Sequence, residues 1–534
     1  MLLAAASPFE RPLPGSIFGF TLTSVELAIL IALGLGLMAW WREPASFRWR
    51  TPITLPLLAL VSCAFAAAAA APELTGDAAR VAARYAAAVL VFIVVVNAAT
   101  SQRLARQIIA ALLAAAAIVG IVALLELAQI PWVLNALKAF RPGFHVVGGQ
   151  LRATSTLSYP TITSMFLEVA FALGLVWIGA SRLAVVALVL TGAGVIATFT
   201  RAGLITMTMS LVFYGAVLFA RDRQWRVEHT RMAIVALVLA ALVLMSRSPQ
   251  MLVARISTEG SQDWYGASYE VPRQLTLRPD SVNQIPVSLT NEGRLTWDST
   301  TTPPFALSYH WLTPDENVVI FDGARTPFAD AVAPGQRVAM LARLRAPNYP
   351  GTYSLIWDVV QEHRTWLSLE GVYPGRTTVS VEGPPVGAPL SSLGRMPSSV
   401  MRMPRSVLWS AAWQIAREHP WLGIGPDNFR HIYGRTLGLA AWDQRVHTNN
   451  SYIEVLVGMG VIGAAALLWL IVAVLRSAAQ MFAAASPSTL PLVAVASAAC
   501  LAIAAHALVD SFLTFTPTYT VFSLAAGILY AHRV

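Results

Sequence analysis

Stretches of apolar residues recur along most of this chain, and most of them are long enough to cross the hydrocarbon core of a bilayer as a helix. Of the 534 residues, 56% are hydrophobic and only 12% are charged, a balance that soluble globular domains of this size do not show. The sequence therefore predicts a polytopic α-helical membrane protein with about eleven transmembrane helices. The predicted spans are residues 20–41, 52–71, 82–98, 106–127, 160–179, 183–199, 203–220, 232–246, 452–475, 488–509 and 518–531.

Arginines follow every second span, which predicts the orientation of the chain because basic loops stay in the cytoplasm. The arginines concerned are Arg42, Arg48, Arg50, Arg103, Arg106, Arg182, Arg221, Arg223, Arg226, Arg231, Arg476 and Arg533. We therefore expect a cytoplasmic C-terminus and an outer location for the loops 128–159 and 510–517 and for the long loop after residue 246. The net charge of +9 follows from this bias and does not indicate a nucleic-acid partner. Met1–Ser7 is too short an apolar stretch for a cleavable signal peptide.

The two cysteines, Cys63 and Cys500, both fall inside predicted spans. This placement argues against a disulfide framework and against a cysteine metal site. The polar loops also hold no carboxylate or histidine cluster at ligand spacing along the chain, so we expect no metal and no other cofactor.

Within the long polar loop, residues 266–383 change to short segments of alternating apolar and polar residues separated by turn sequences such as Pro334-Gly335. We predict strands at Gln274–Leu277, Gln284–Thr290, Ala306–Trp311, Val318–Phe321, Arg337–Arg345, Thr352–Val360 and Thr377–Val381. About seven strands with a turn roughly every ten residues are typical of an immunoglobulin-like β-sandwich.

These patterns divide the chain into six segments. They are N-terminal transmembrane helices (17–246), a linker (247–265), an extracytoplasmic β-sandwich (266–383), a second linker (384–400), a membrane-proximal loop (401–451) and C-terminal transmembrane helices (452–534).

The membrane-proximal loop has three features that lead to the candidate site. Residues 404–417 are predicted to form a helix lying at the membrane surface, with Arg405, Trp409 and Trp413 on one face. The helix is predicted from an apolar stripe at helical spacing, namely Val407, Leu408, Ala411, Ala412 and Ile415. A Gly-Ile-Gly-Pro turn follows at residues 423–426. The last polar residues, 447–452, run straight into the ninth span.

Three short segments resemble the bacterial O-antigen ligase and polysaccharide polymerase superfamily. Trp421–Phe429 is similar to the family's "PLLGVGPGNF" turn, and Thr198–Gly203 to its "S/T-R-G/A" signature at a helix end. Asn450 to Gly463 keeps the spacing of the family's "H-[NSQ]-x9-G-x-x-G" motif. The resemblance extends over most of residues 17–534 except the β-sandwich, which looks like an insertion. The family histidine falls on Asn449, and the nearest imidazole is His447, two residues earlier.

The resemblance implies a metal-independent transfer of a glycan from undecaprenyl diphosphate to an acceptor hydroxyl. The reaction would take place on the outer side of the bacterial cytoplasmic membrane, and the acceptor would be a lipid, a glycan or a protein. Arg201, Arg405 and Arg152 are the expected ligands of the donor diphosphate, since guanidinium groups bind phosphate oxygens through paired hydrogen bonds.

His447 is the expected general base, because imidazole accepts protons near neutral pH. The alternative is that Asn449 orients the acceptor and that no base is needed. The expected glycan-binding residues are Trp409, Trp413, Asn450 and Tyr452.

Each of these residues also has a purely structural interpretation. Arg201 is suited to anchor a helix at the interface, Arg405 and Arg152 to remain solvated, and His447 to be an ordinary loop histidine. Asn449 and Asn450 are suited to cap the ninth span.

Rival functions remain open as well. A polysaccharide polymerase and a protein O-oligosaccharyltransferase use the same donor chemistry. A transporter would carry charges near the middle of several spans, and a non-catalytic surface protein would explain the β-sandwich but not the arginines and His447.

Overall fold

The computed structural model describes residues 1–13, 22–141, 145–147, 150–221, 226–246, 264–362, 365–390, 405–439, 442 and 444–531. Most of the predicted linkers 247–265 and 384–400 lie outside the described residues, as do the start of the first predicted span and the end of the chain.

Helices occupy the positions of all the predicted spans. Their bounds are Ser24–Arg42, Thr54–Ala69, Thr75–Ala98, Gln102–Leu127, Pro160–Gly174, Arg182–Ala197, Arg201–Arg221, Val227–Ser246, Ser451–Ala484, Leu490–His506 and Thr516–Ala531. A single 3₁₀ turn, Leu175–Trp177, extends the fifth of them. Shorter helices in the described residues lie at Leu2–Ala6, Pro131–Leu137, Arg405–Glu418 and Phe429–Thr436.

Seven helices in the described part of the chain are long and apolar enough to cross a membrane, which makes this a polytopic protein. They are Ser24–Arg42, Thr75–Ala98, Gln102–Leu127, Pro160–Trp177, Arg201–Ala220, Val227–Ser246 and Ser451–Ala484. Three further apolar helices, Thr54–Ala69, Arg182–Ala197 and Leu490–His506, are shorter. The predicted total of eleven spans stays a prediction.

The Pro160–Gly174 helix is at the centre of the bundle, because every residue from Ile162 to Gly174 is buried. It packs against the helices Gln102–Leu127, Arg182–Ala197, Arg201–Arg221 and Leu490–His506. The neighbouring helices therefore surround it.

The polar excursion forms two β-sheets. One runs in the order Gln274–Leu277, Gly375–Val381, Gly351–Gln361, Phe305–Leu312, Val318–Ile320, with Thr326–Pro327 and Thr365–Trp366 paired at its side. The other contains Ala267–Glu270, Val282–Asn291 and Arg337–Arg345. All seven predicted strands are present, and the strand Ala267–Glu270 and the two-residue strands are additional.

The two sheets pack on a common core. Alternate residues of Val282–Asn291, namely Ile285, Val287 and Leu289, are buried against Trp311 and Trp357 of the larger sheet. The period of two in the sequence thus matches a strand with one buried face. The immunoglobulin-like type of this two-layer unit stays a prediction.

Trp264, just before the first of these strands, joins the sheets to the helices. It is fully buried, and its ring centroid lies 6.4 Å from that of Phe199, between the helices Arg182–Ala197 and Arg201–Arg221. The β-unit therefore contacts the end of the bundle at which Arg201 begins its helix.

Candidate functional site

The Gly-Ile-Gly-Pro turn docks into a break in the helix Ser451–Ala484. Gly460 has φ 63° and ψ −168° inside this helix, so the amide of Val461 donates to Pro420 O instead of continuing the helix (2.8 Å). The carbonyls of Val457 and Gly458 accept from Ile424 N and Gly425 N, each at 3.0 Å. A side chain at residue 460 would collide with the Trp421 backbone. Gly460 therefore opens the helix to receive the turn.

The turn delivers Asp427 to His447. His447 Nδ1 lies 3.3 Å from Asp427 Oδ1 and 3.9 Å from Glu454 Oε1. All three side chains are largely buried, with 16%, 10% and 11% of their surface exposed. Burial by itself disfavours the imidazolium, but the two carboxylates outweigh this effect and raise the pKa of His447 to about 10. Burial would also raise the pKa of Asp427, yet His447 and Arg430 hold it below its usual value.

Hydrogen bonds hold Glu454 in this cluster. Its Oε2 accepts from the amide of Thr448 at 3.0 Å and from the Thr448 hydroxyl at 2.7 Å, and Ser511 Oγ lies 3.4 Å away. Neither Glu454 nor Asp427 was among the site residues predicted from the sequence. The signal that could have found them is that both acids lie inside segments that resemble the family motifs.

The same three residues form a cluster of possible metal ligands, which the spacing along the chain did not predict. Ligand atoms of Asp427, His447 and Glu454 lie within 4.8 Å of one another, a grouping that can hold a metal ion. Linear spacing did not reveal it because Asp427 is separated from His447 by a further helix, Phe429–Thr436.

The helix Arg405–Glu418 is present where the sequence pattern predicted one, and it lies beside the site. Leu408, Ala411, Ala412 and Ile415 are buried, although Val407 of the predicted apolar stripe is only partly so. The Trp409 indole donates to Thr448 O at 2.9 Å, next to His447. Trp413 is 55% exposed and its ring is stacked by Arg417 at 5.3 Å.

The turn after the helix Leu490–His506 accepts hydrogen bonds from two predicted site residues, Arg405 and Asn450, and from their neighbour Ser451. Its carbonyls accept from Arg405 (Val509 O, 2.8 Å), Asn450 Nδ2 (Leu508 O, 2.9 Å) and the Ser451 amide (Ala507 O, 2.9 Å). The last carbonyls of a helix lack partners within it, which explains why this end attracts donors. Arg405 and Asn450 are thereby held side by side.

The side chains of Asn450 and Tyr452, two of the predicted glycan-binding residues, already make hydrogen bonds within the protein. Asn450 caps the helix Ser451–Ala484, with its Oδ1 accepting from Tyr452 N and Ile453 N. Tyr452 donates its hydroxyl to Ala504 O at 2.8 Å and packs on the main core. Asn449 has φ 54° and a partly exposed side chain, so it is better placed than Asn450 to meet a substrate.

Arg152 and Arg201 lie together on another part of the same end of the bundle. Arg152 Nε donates to Thr198 O and its NH2 group to Thr200 Oγ1, both at 3.0 Å. These partners directly precede Arg201, the first residue of its helix. A buried ion pair of Arg141 with Glu126 (2.5 Å) supports this region, because Glu126 also accepts from the Ser155 amide at 2.7 Å.

Aromatic rings connect the Arg152 region with the His447 cluster. The strands His145–Val147 and Gln150–Arg152 form a small antiparallel sheet in which His145 pairs with Arg152. The ring centroids of His145 and Tyr159 are 5.2 Å apart. Tyr159 lies 5.9 Å from Phe515, and Phe515 lies 6.4 Å from His447. The structure thus brings all the predicted site residues to one end of the bundle.

A family model described as O-Antigen ligase matches residues 386–470. The match supports the O-antigen ligase superfamily and indicates a ligase- or polymerase-type glycosyltransferase. With the apolar helices, it suggests a multi-pass protein of the inner membrane, with glycan and acceptor substrates. No curated protein matches the chain.

Proposed function

We propose that this protein transfers a glycan from undecaprenyl diphosphate to an acceptor hydroxyl on the outer side of the cytoplasmic membrane. One observation carries the proposal. The segment matched by the ligase family supplies Arg405, Trp409, Asp427, His447 and Glu454, and these residues converge where the membrane helices end. A lipid-linked donor would present its diphosphate at this level.

Arg201 and Arg405 bind the donor diphosphate, with Arg152 beside Arg201. Negative charge grows on the diphosphate as the bond to the anomeric carbon breaks, and fixed cationic donors stabilise that charge. Arg405 is oriented by Val509 O, and Arg152 by Thr198 O and Thr200. Their guanidinium groups are thus held by the backbone before the substrate arrives.

His447 acts in its protonated form. A pKa of about 10 means that imidazolium predominates at neutral pH, and a nearby diphosphate would favour it further. Since Nδ1 faces Asp427 and Glu454, Nε2 is the atom that donates to a diphosphate oxygen. His447 is therefore a further cation of the leaving-group site, beside the arginines, rather than the general base expected from the sequence.

Asn449 orients the acceptor, whose oxygen attacks the anomeric carbon. The new carbon–oxygen bond forms as the bond to the diphosphate breaks, and undecaprenyl diphosphate leaves with the electron pair. The hydroxyl proton departs to solvent late, once bond formation has made it acidic. Trp409 and Trp413 provide ring faces for the sugars.

Two experiments test the proposal. The purified protein in nanodiscs receives undecaprenyl-diphosphate glycan and candidate acceptors. We expect transfer by the wild type and a loss on the order of 10²–10³ in His447→Ala, as for removal of one transition-state hydrogen-bond donor. The control is Glu73→Gln, which breaks an exposed ion pair with Arg435 outside the site. Equal turnover in His447→Ala and the control, at equal protein level, would refute a catalytic His447.

A deletion strain decides between the two activities of the superfamily. Accumulation of long undecaprenyl-linked chains would identify a ligase, and accumulation of single repeat units would identify a polymerase. An unchanged profile of lipid-linked glycans would contradict the proposed function as a whole.

A further inference from the structure

An acidic side chain lies deep inside the central helix of the bundle. Glu168 is fully buried, eight residues from the start of the helix Pro160–Gly174, or about 12 Å along it. Its Oε1 lies 2.8 Å from His506 Nδ1, and its Oε2 accepts from the Thr206 hydroxyl at 2.6 Å. Ionisable groups within membrane spans are costly and commonly serve function. None of these three residues has a part in the proposed chemistry.

Thr206 connects Glu168 to the helix that begins with Arg201. Gly203 of this helix packs so closely on Ser164 that any side chain at residue 203 would collide with the serine hydroxyl. Ser164 and Glu168 are four residues apart, and Gly203 and Thr206 are three apart, so each pair shares one helix face. The close packing and the hydrogen bond together fix the height and rotation of the helix carrying Arg201.

His506 connects Glu168 to the turn that holds Arg405. His506 is the last residue of its helix, and its carbonyl accepts from Val509 N at 2.9 Å. Val509 O in turn accepts from Arg405 at 2.8 Å. A displacement of His506 would therefore shift the turn and the guanidinium that it orients.

We infer that Glu168, His506 and Thr206 form a positioning unit that sets the separation of Arg201 and Arg405. This inference rests on the proposed function, in which both arginines bind one diphosphate. The unit lies beneath the site and contacts neither the donor nor the acceptor. It acts by fixing two helices to the central one, because paired guanidinium contacts to phosphate tolerate little displacement.

The simpler alternative is that the unit only stabilises the fold, and paired substitutions separate the two roles. Removing one partner of a buried charged pair leaves the other uncompensated, whereas replacing both by apolar residues is often neutral. In Glu168→Leu with His506→Leu, the Thr206 hydroxyl keeps Ala202 O and Gly203 O as acceptors, at 2.9 and 3.2 Å. We expect this double variant to recover most of the thermal stability that either single variant loses.

The separation is measured with spin labels at Val212 and Gln414, which are both exposed and lie outside the proposed site. Cys63 and Cys500 are first replaced by Ser and Ala. We expect a broader distance distribution in the double variant than in wild type, together with a fall of at least tenfold in kcat/KM. The amide of Glu168→Gln can still hydrogen-bond to His506 and to Thr206. Its distance distribution and its kcat/KM should therefore match those of the wild type. The matched control is Ser497→Ala, on the same helix as His506, which should change neither.

An unchanged distance distribution and full activity in a stable double variant would overturn the inference. Should that variant not fold, Thr206→Val breaks the link to the Arg201 helix alone, and wild-type distances in this variant would also overturn it. The distance measurement needs no turnover. If the wild-type protein transfers no glycan, the proposed function fails while the coupling of the two helices is still tested.

Discussion

Replacing Asp427 by Asn removes the carboxylate charge nearest to His447 and keeps the shape of the side chain. The shift of the His447 pKa from 6.5 to about 10 corresponds to about 5 kcal/mol in favour of the imidazolium. A charge pair at the observed 3.3 Å contributes about 1–5 kcal/mol for effective dielectric constants between 80 and 20. Asp427→Asn should therefore lower the pKa of His447 by about one to four units, because Glu454 remains close.

The assay is the pH dependence of kcat/KM between pH 6 and 9.5. His447 has a raised pKa, so its imidazolium is fully present at low pH and is lost as the pH rises through about 10. If the imidazolium is the active form, the wild-type rate stays level up to about pH 9. The rate of Asp427→Asn should then begin to fall at least one pH unit earlier. Glu73→Gln serves again as the control and should follow the wild type.

Opposite results would refute this reasoning. A general base with a pKa of about 10 would give a wild-type rate that rises tenfold per pH unit over the same range. Asp427→Asn would then be faster than wild type at pH 7.

Carbethoxylation of His447, followed by mass spectrometry, checks the protonation state without turnover, since only neutral imidazole reacts. The reaction at pH 7.5 should be faster in Asp427→Asn than in wild type.

Four further predictions concern the rest of the molecule. Arg201→Lys and Arg405→Lys should each lower kcat/KM about tenfold or more, because an ammonium group cannot reproduce the paired guanidinium geometry; wild-type transfer in both would remove the diphosphate assignment. Activity should persist in EDTA, and a loss that Mg²⁺ or Mn²⁺ restores would instead assign Asp427, His447 and Glu454 to a metal. Excising residues 266–383 should spare donor binding and alter acceptor use; abolished donor binding in a folded deletion would make the β-unit part of the donor site. Gly460→Ala should lower the thermal stability strongly, because the new methyl group meets the Trp421 backbone, whereas an unchanged melting temperature would contradict the docking of the turn.

The seven strands show how much local pattern can determine. Alternating residues such as Ile285, Val287 and Leu289 predicted a strand that the structure contains, because a period of two exposes one face of a strand to a core. The helix Arg405–Glu418 was predicted for a similar reason, from an apolar stripe at helical spacing. The sequence did not indicate the order of the strands within the two sheets, because strand order depends on contacts between residues that are distant in the chain.

The composition and the apolar segments by themselves determined a membrane protein with a polar excursion, and local motifs indicated which side chains carry the chemistry. Only the tertiary structure decided the surroundings of those side chains. Asp427 and Glu454 meet at His447 because a turn docks into the break at Gly460, and their charges raise the pKa of the residue that the sequence suggested as a base. The charge state of a buried group depends on neighbours far away in the chain, whereas a hydrophobic period depends on residues next to one another. The charge state can therefore be found only from the folded chain, whereas the hydrophobic period is already present in the sequence.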